Sequence, residues 1–97
     1  MRVLTVCGMG FGTSLMLLMD IQAIGKRHGI NIEGEALDIS SVKGKKADLI
    51  IASSEIAKTL DISQIPIIAI KNILDKREIE TKLMEFIDHH QNNKPTP

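Results

Sequence analysis

Three things are scarce in this chain of 97 residues: thiols, long apolar runs and charge of either sign in excess. With one cysteine, no internal disulfide can form, and a single free thiol fits a reducing, cytoplasmic setting. Twelve basic residues balance twelve acidic ones, which leaves no surplus of Lys and Arg for a broad nucleic-acid surface. The longest apolar stretch, residues 15–19, is stopped by Asp20, whereas a spanning helix needs about 20 mostly apolar residues. No cationic segment followed by an apolar one and a cleavage site opens the chain, so secretion is not expected. What is present, 43% hydrophobic and 25% charged residues, is ordinary for a globular domain, and the length suffices for one core.

Residues 3–6 form a short, nearly continuous apolar run, the pattern of a strand buried on both faces of a parallel sheet. After a glycine-rich loop, Leu17, Ile21 and Ile24 recur at helical spacing over about residues 13–28, and Gly29 supplies a stop. Residues 31–37 alternate apolar and polar, which suits an edge strand. Residues 48–52 and 67–70 are further apolar strands, separated by a short helical segment that opens at Ser53 and Ser54. In the final helix Asp75 can cap, Glu78 can complete a capping box and Leu74 can staple onto Ile79, while Ile79, Leu83, Phe86 and Ile87 make one stripe. No repeat or linker is evident. Residues 1–90 are expected to form the domain and residues 91–97 a flexible C-terminal tail. The alternation predicts an α/β fold, an open four-stranded parallel sheet flanked by helices on both faces. Ligands of such sheets bind beyond the carboxyl ends of the strands, where the loop after the first strand lies.

That loop reads Cys7-Gly8-Met9-Gly10-Phe11-Gly12-Thr13-Ser14. Three glycines in five residues remove the Cβ atoms that would stop backbone amides converging on an anion, and the following helix turns its positive end inward. Thr13 or Ser14 can cap that helix and offer a hydroxyl to a phosphate oxygen, and the same dipole favours the Cys7 thiolate. The competing reading is a tight turn with Cys7 as a small buried residue. The coincidence of nucleophile, glycines and hydroxyls at a strand end favours chemistry.

Neighbouring motifs fit less well. A Walker loop needs Gly-Lys-Ser/Thr, but Gly12 is followed directly by Thr13. A dinucleotide fingerprint wants Gly-x-Gly-x-x-Gly, whereas Gly8, Gly10 and Gly12 are evenly spaced. A cysteine phosphatase would carry an arginine near the end of the loop, where Thr13 and Ser14 stand. Without that cation or an evident general acid, a phosphorylated thiol should persist until an acceptor arrives.

The loop at residues 7–15, the stretch at residues 47–53 and the strand ending near Lys71 and Asn72 together resemble a phosphotransferase-system IIB component, and more closely the ascorbate-type IIB proteins within a lactose, ascorbate and galactitol IIB-like superfamily. The resemblance covers nearly the whole domain, with the cysteine loop as its specific part. It implies a Rossmann-like or flavodoxin-like sheet in the order 2-1-3-4, similar in topology to the low-molecular-weight tyrosine phosphatases. It further implies that Cys7 accepts a phosphoryl group from a phosphohistidine of the IIA component and passes it to a sugar, ascorbate-like or pentitol-like, bound by the membrane IIC component. The chain would then be a cytoplasmic protein-phosphocysteine sugar phosphotransferase, held at the inner membrane face through IIC. The amides of Gly8, Met9, Gly10, Phe11, Gly12, Thr13 and Ser14 would cradle the phosphate, with Met9 and Phe11 facing the partners. No metal or organic cofactor is implied. The alternatives are a regulatory module read through phosphorylation of Cys7, and a cysteine-dependent phosphatase.

Other residues carry less. Ser53, Ser54 and Asn72 follow strands on the same sheet edge as Cys7 and could bond phosphate or partner, or simply serve caps and turns. Asp38 and Ser40 are common turn residues. His28, His89 and His90 sit at helix ends, where a cation complements the dipole. Leu15, Met16, Leu18 and Met19 fit either an adaptable docking face or helical core packing.

Overall fold

The computed structural model describes residues 1–6, 11–60 and 65–92, with the backbone alone at residues 11–12 and 90–92. The first strand, β1 (Arg2–Val6), buries four consecutive side chains, so it needs cover on both faces and a partner at each edge. It pairs in parallel with β2 (Glu33–Leu37) on one side and β3 (Leu49–Ser53) on the other. A fourth strand, β4 (Ile67–Ile70), pairs with β3, also in parallel, giving the sheet order β2-β1-β3-β4. This is the expected open four-stranded parallel sheet, and the alternating strand β2 takes an edge as its pattern indicated.

Period-two alternation distributes the strand residues between two cores. Val3, Leu49 and Ile51 point to one face, where helix α1 (Phe11–Arg27) adds Leu17, Ile21 and Ile24 and helix α3 (Lys76–Asn92) adds Ile79, Leu83 and Ile87. Leu4, Val6, Ile50 and Ala52 point to the other, against Leu37 and Val42, with Ile56 and Ala57 of the short helix α2 (Ser54–Thr59) packed on them. Helices thus cover both faces. Each fully buried Leu or Ile contributes about 1.5–3 kcal/mol of transfer free energy, and Leu4, Leu17, Ile21, Leu49, Ile51 and Leu83 are all essentially inaccessible.

Helix α1 stops where Gly29 predicts. Gly29 adopts φ +73°, the Gly29 N–H donates to the Lys26 carbonyl at 3.2 Å and the Ile30 N–H to the Gly25 carbonyl at 2.7 Å. Those two bonds are a Schellman motif, and they turn the chain back toward β2. Helix α3 begins as expected at Asp75, whose Oδ1 accepts from the Arg77 and Glu78 N–H groups at 3.1 and 3.2 Å. The rest of that N-terminus differs from expectation. Leu74 is 69% exposed, and Ile73 packs on the core that contains Ile79 in its place. Glu78 does not close a capping box either, because its carboxylate reaches back to the β4–α3 connection instead. Helix α3 runs through Asn92, and residues 93–97 lie outside the described residues.

Candidate functional site

Strand order reverses at β1, which has β2 on one side and β3 on the other, so the crevice of this sheet opens at the carboxyl ends of β1 and β3. Val6 ends β1 there, in register with Leu37 and with Ala52, the residue before Ser53. Cys7, Gly8, Met9 and Gly10 lie outside the described residues. The two flanks of that segment, Val6 and the start of α1, are held together by a buried contact. Thr5 is fully buried in an otherwise apolar strand, and its Oγ1 donates to the Ser14 carbonyl at 2.8 Å, locking the first turns of α1 to β1. Nothing local marks Thr5 for this role, apart from its being the one polar residue in the run.

Helix α1 starts at Phe11, two residues before the position expected from sequence. Neither Thr13 nor Ser14 therefore caps it: both lie inside its first turns, with Phe11 and Gly12 ahead of them. The apolar periodicity that marks the helix begins only at Leu17, and the first turn, which makes no i−4 bonds of its own, tolerates Gly12. The second half of the loop is thus a helix N-terminus, whose first amides have no intrahelical partner and point at the carboxyl edge. No acidic residue occupies that first turn. Ser14 is fully buried and Thr13 is half-buried. The side chain of Phe11, expected to face partners, lies outside the described residues.

Beside this helix start lies a pocket of about 410 Å³. Thr13 and Met16 of α1 form one wall, Ser53 at the end of β3 the floor, and residues 71–74 after β4 the opposite wall. Elements remote in sequence thus bring Thr13, Ser53 and Asn72 together, while Ser54 opens α2 and does not line the pocket. A larger opening of about 530 Å³ lies at the other end of α1, against Gly29 and Ile30, away from the carboxyl edge.

The wall at residues 71–74 is fixed from behind. Glu78 Oε2 accepts from the Lys71 N–H at 2.7 Å, and Oε1 accepts from the Asn72 N–H at 3.0 Å. Lys82 Nζ donates to Glu78 Oε2 at 2.8 Å and to the Ala69 carbonyl at 2.6 Å. Asn72 Oδ1 accepts from the Leu74 N–H at 3.0 Å. The bonds from the Lys82 ammonium, then the Lys71 and Asn72 amides, hold the Glu78 carboxyl at about 2 against an ordinary 4.5. The sequence pattern at Glu78 is that of a capping box, and nothing local gives Lys71 a role. Only the fold shows that Glu78 anchors a pocket wall and that Lys71 lines the pocket beside the start of α1.

The remaining candidates stay apart from the edge or serve local turns. Asp38 Oδ1 accepts from the Ser41 N–H at 2.8 Å and the Ser40 hydroxyl at 3.0 Å, a cap for the 3-10 turn Ile39–Ser41. His28 and Arg27, at the far end of α1, each reach Glu80 Oε2 at 3.0 Å. On α1, Leu15, Met16 and Met19 are 44%, 51% and 61% exposed, whereas Leu18 is buried. Among the described residues no three His, Cys, Asp or Glu side chains group to hold a metal, and no helix is long and apolar enough to cross a membrane.

Residues 2–85 match a family model described as the lactose/cellobiose-specific IIB subunit of the phosphotransferase system. The ascorbate-specific EIIB component of Mycoplasma pneumoniae is 28% identical over 90 residues, covering 90% of this chain and 95% of that protein. The ascorbate-specific EIIB component of Escherichia coli O157:H7 is 28% identical over 92 residues, covering 92% of this chain and 91% of its own length. The fold is similar to the solved lactose-specific IIB domain of Streptococcus pneumoniae, with a TM-score of 0.60 at 20% identity over 93% of this chain and 97% of that one.

Proposed function

The chain belongs to the lactose/cellobiose-specific IIB subunit family of the phosphotransferase system, and we propose that Cys7 carries the phosphoryl group between its donor and its acceptor. The observation that supports this most directly is positional. The one cysteine of the chain follows Val6 at the strand-order reversal and precedes a helix start that is free of acidic residues. In the proposed cycle the Cys7 thiolate attacks the phosphorus of a phosphohistidine on the IIA component, so that the S–P bond forms as the P–N bond breaks and the imidazole leaves. A hydroxyl of a sugar bound by the membrane IIC component then attacks phosphorus, the O–P bond forms, and the thiolate departs. The names of the 28%-identical relatives favour an ascorbate-like acceptor.

The chain's own residues contribute positioning and charge. Amides of the loop and of the helix start, residues 8–14, face the phosphoryl oxygens, and the helix dipole favours thiolate over thiol. The Thr5 bond to the Ser14 carbonyl keeps the helix start aligned with β1 as the group arrives and leaves. Met16 and Leu74, 51% and 69% exposed on either side of the pocket, form an apolar rim on which the IIA and IIC components dock in turn. The test is intact-mass spectrometry of the purified chain with its IIA component and the upstream phosphorylation system, beside Cys7→Ser. One phosphate on wild type, absent from Cys7→Ser and removed by excess unphosphorylated IIA, is the expected result. An adduct that persists in Cys7→Ser, or none with an active IIA, would refute the proposal.

A further inference from the structure

The loop sequence lacks a cation, but the fold brings one to the start of α1. Lys71, the residue after β4, lines the same pocket as Thr13 of α1 and Ser53 of β3. Among the described residues no carboxylate pairs with its ammonium, since the ion pairs involve Arg27, His28, Lys45 and Lys82. No acidic residue is among the described residues that line the pocket either. The carboxylate behind the wall, Glu78, is engaged by Lys82 and two backbone amides and makes its ion pair with Lys82, so it fixes the segment carrying Lys71 without pairing with the Lys71 ammonium. Beside the apolar Met16, Ile73 and Leu74, every polar side chain of the pocket can donate. The Lys71 ammonium and the Thr13 and Ser53 hydroxyls donate, and Asn72 has its Oδ1 engaged with Leu74 and its amide NH₂ left to donate.

We propose that this pocket is an anion subsite for a phosphate group, with Lys71 as its cation and Thr13, Ser53 and Asn72 as neutral donors. The inference rests on the phosphocysteine reading for its role in transfer. There, the subsite draws the phosphoryl group of the incoming donor to the carboxyl edge and offsets its charge as the S–P bond forms. A single ammonium differs from the bidentate arginine of a phosphatase: it attracts phosphate as a point charge without clamping two oxygens. Glu78 and Lys82 act as positioning residues, by holding the 71–74 segment against the sheet.

Two arms separate the possible sources of the phosphate. In the first, inorganic phosphate is titrated into the unphosphorylated chain while the amide resonances of residues 13, 53, 71 and 72 are followed. Lys71→Gln is expected to weaken the response at these four positions about tenfold, the loss of one charge-assisted hydrogen bond, with Lys71→Arg recovering most of it. In the second, transfer from phosphorylated IIA is timed by quenched intact-mass spectrometry, and Lys71→Gln is expected to slow it about tenfold with Lys71→Arg close to wild type. Equal phosphate affinity in wild type and Lys71→Gln would overturn the subsite, even if transfer slowed, because Lys71 would then act only in docking. If wild type takes no phosphate from an active IIA, the phosphocysteine reading fails, and the phosphate titration still decides the subsite by itself.

Discussion

Replacing Glu78 by glutamine probes how the pocket wall is held. In wild type the carboxylate accepts from the Lys71 and Asn72 amides at 2.7 and 3.0 Å and from the Lys82 ammonium at 2.8 Å. Glutamine keeps one acceptor oxygen and turns the other into a donor, so one of the two loop amides loses its partner and Lys82 loses its counter-charge. A hydrogen bond to a charged group contributes about 1.5–3 kcal/mol, an i,i+4 ion pair about 0.3–0.5 kcal/mol, and water recovers part of the loss at this solvent-facing turn. The expected net cost of Glu78→Gln is about 1–2 kcal/mol, or a Tm lower by about 5–15 °C in a domain of this size. The sign with pH follows from the depressed pKa. A carboxyl at about 2 when folded and 4.5 when free contributes stability fully above pH 4.5, and loses it as pH falls through about 2. Urea unfolding followed by far-UV circular dichroism at pH 7, 4 and 2 is the assay. The gap between wild type and variant should be full at pH 7, begin to narrow below pH 4.5 and be largely gone at pH 2. Equal stability at pH 7, or a gap that does not change with pH, would refute the assignment of Glu78 as the charged anchor of this wall.

Two glycines give predictions of known sign. A Cβ on Gly34 would sit 2.8 Å from the Val3 carbonyl of the neighbouring strand and overlap the Leu18 Cδ1 methyl above it. Gly34→Ala should therefore cost about 1–3 kcal/mol, although alanine ordinarily stabilises a strand, and a melting temperature at or above wild type would contradict the packing described. Gly29→Ala meets no atom within 4 Å but must adopt φ +73°. It should cost about 1 kcal/mol through backbone strain alone, seen in equilibrium denaturation as a shifted midpoint with an unchanged slope.

How far each feature could be read in advance follows from the range of the interaction behind it. The strands β1, β3 and β4 announce themselves because a strand covered on both faces must be apolar at consecutive positions, and residues 3–6, 49–52 and 67–70 are so, apart from Thr5. The stop of α1 is legible because only glycine takes the left-handed conformation without strain. The start of α1 is not, because its first turn packs little and carries no apolar stripe. Glu78 illustrates a signal read correctly in type and wrongly in partner. Three residues after Asp75 it satisfies the capping-box pattern, but the β4–α3 connection offers it two free amides and Lys82 a charge, and these together outcompete the single amide of the cap.

The elements, their alternation and a lone thiol in a glycine-rich stretch after the first strand are written in the chain itself, because periodicity, turn chemistry and composition are local properties. What stands beside the start of α1 is set by tertiary packing instead. Parallel pairing in the order β2-β1-β3-β4 collects strand ends that are far apart in sequence on one edge, and so sets Lys71, Ser53 and Asn72 beside Thr13. That grouping depends on which strands neighbour which, a long-range choice made by the burial of two opposite sheet faces at once, and no local pattern at Lys71 or Glu78 encodes it.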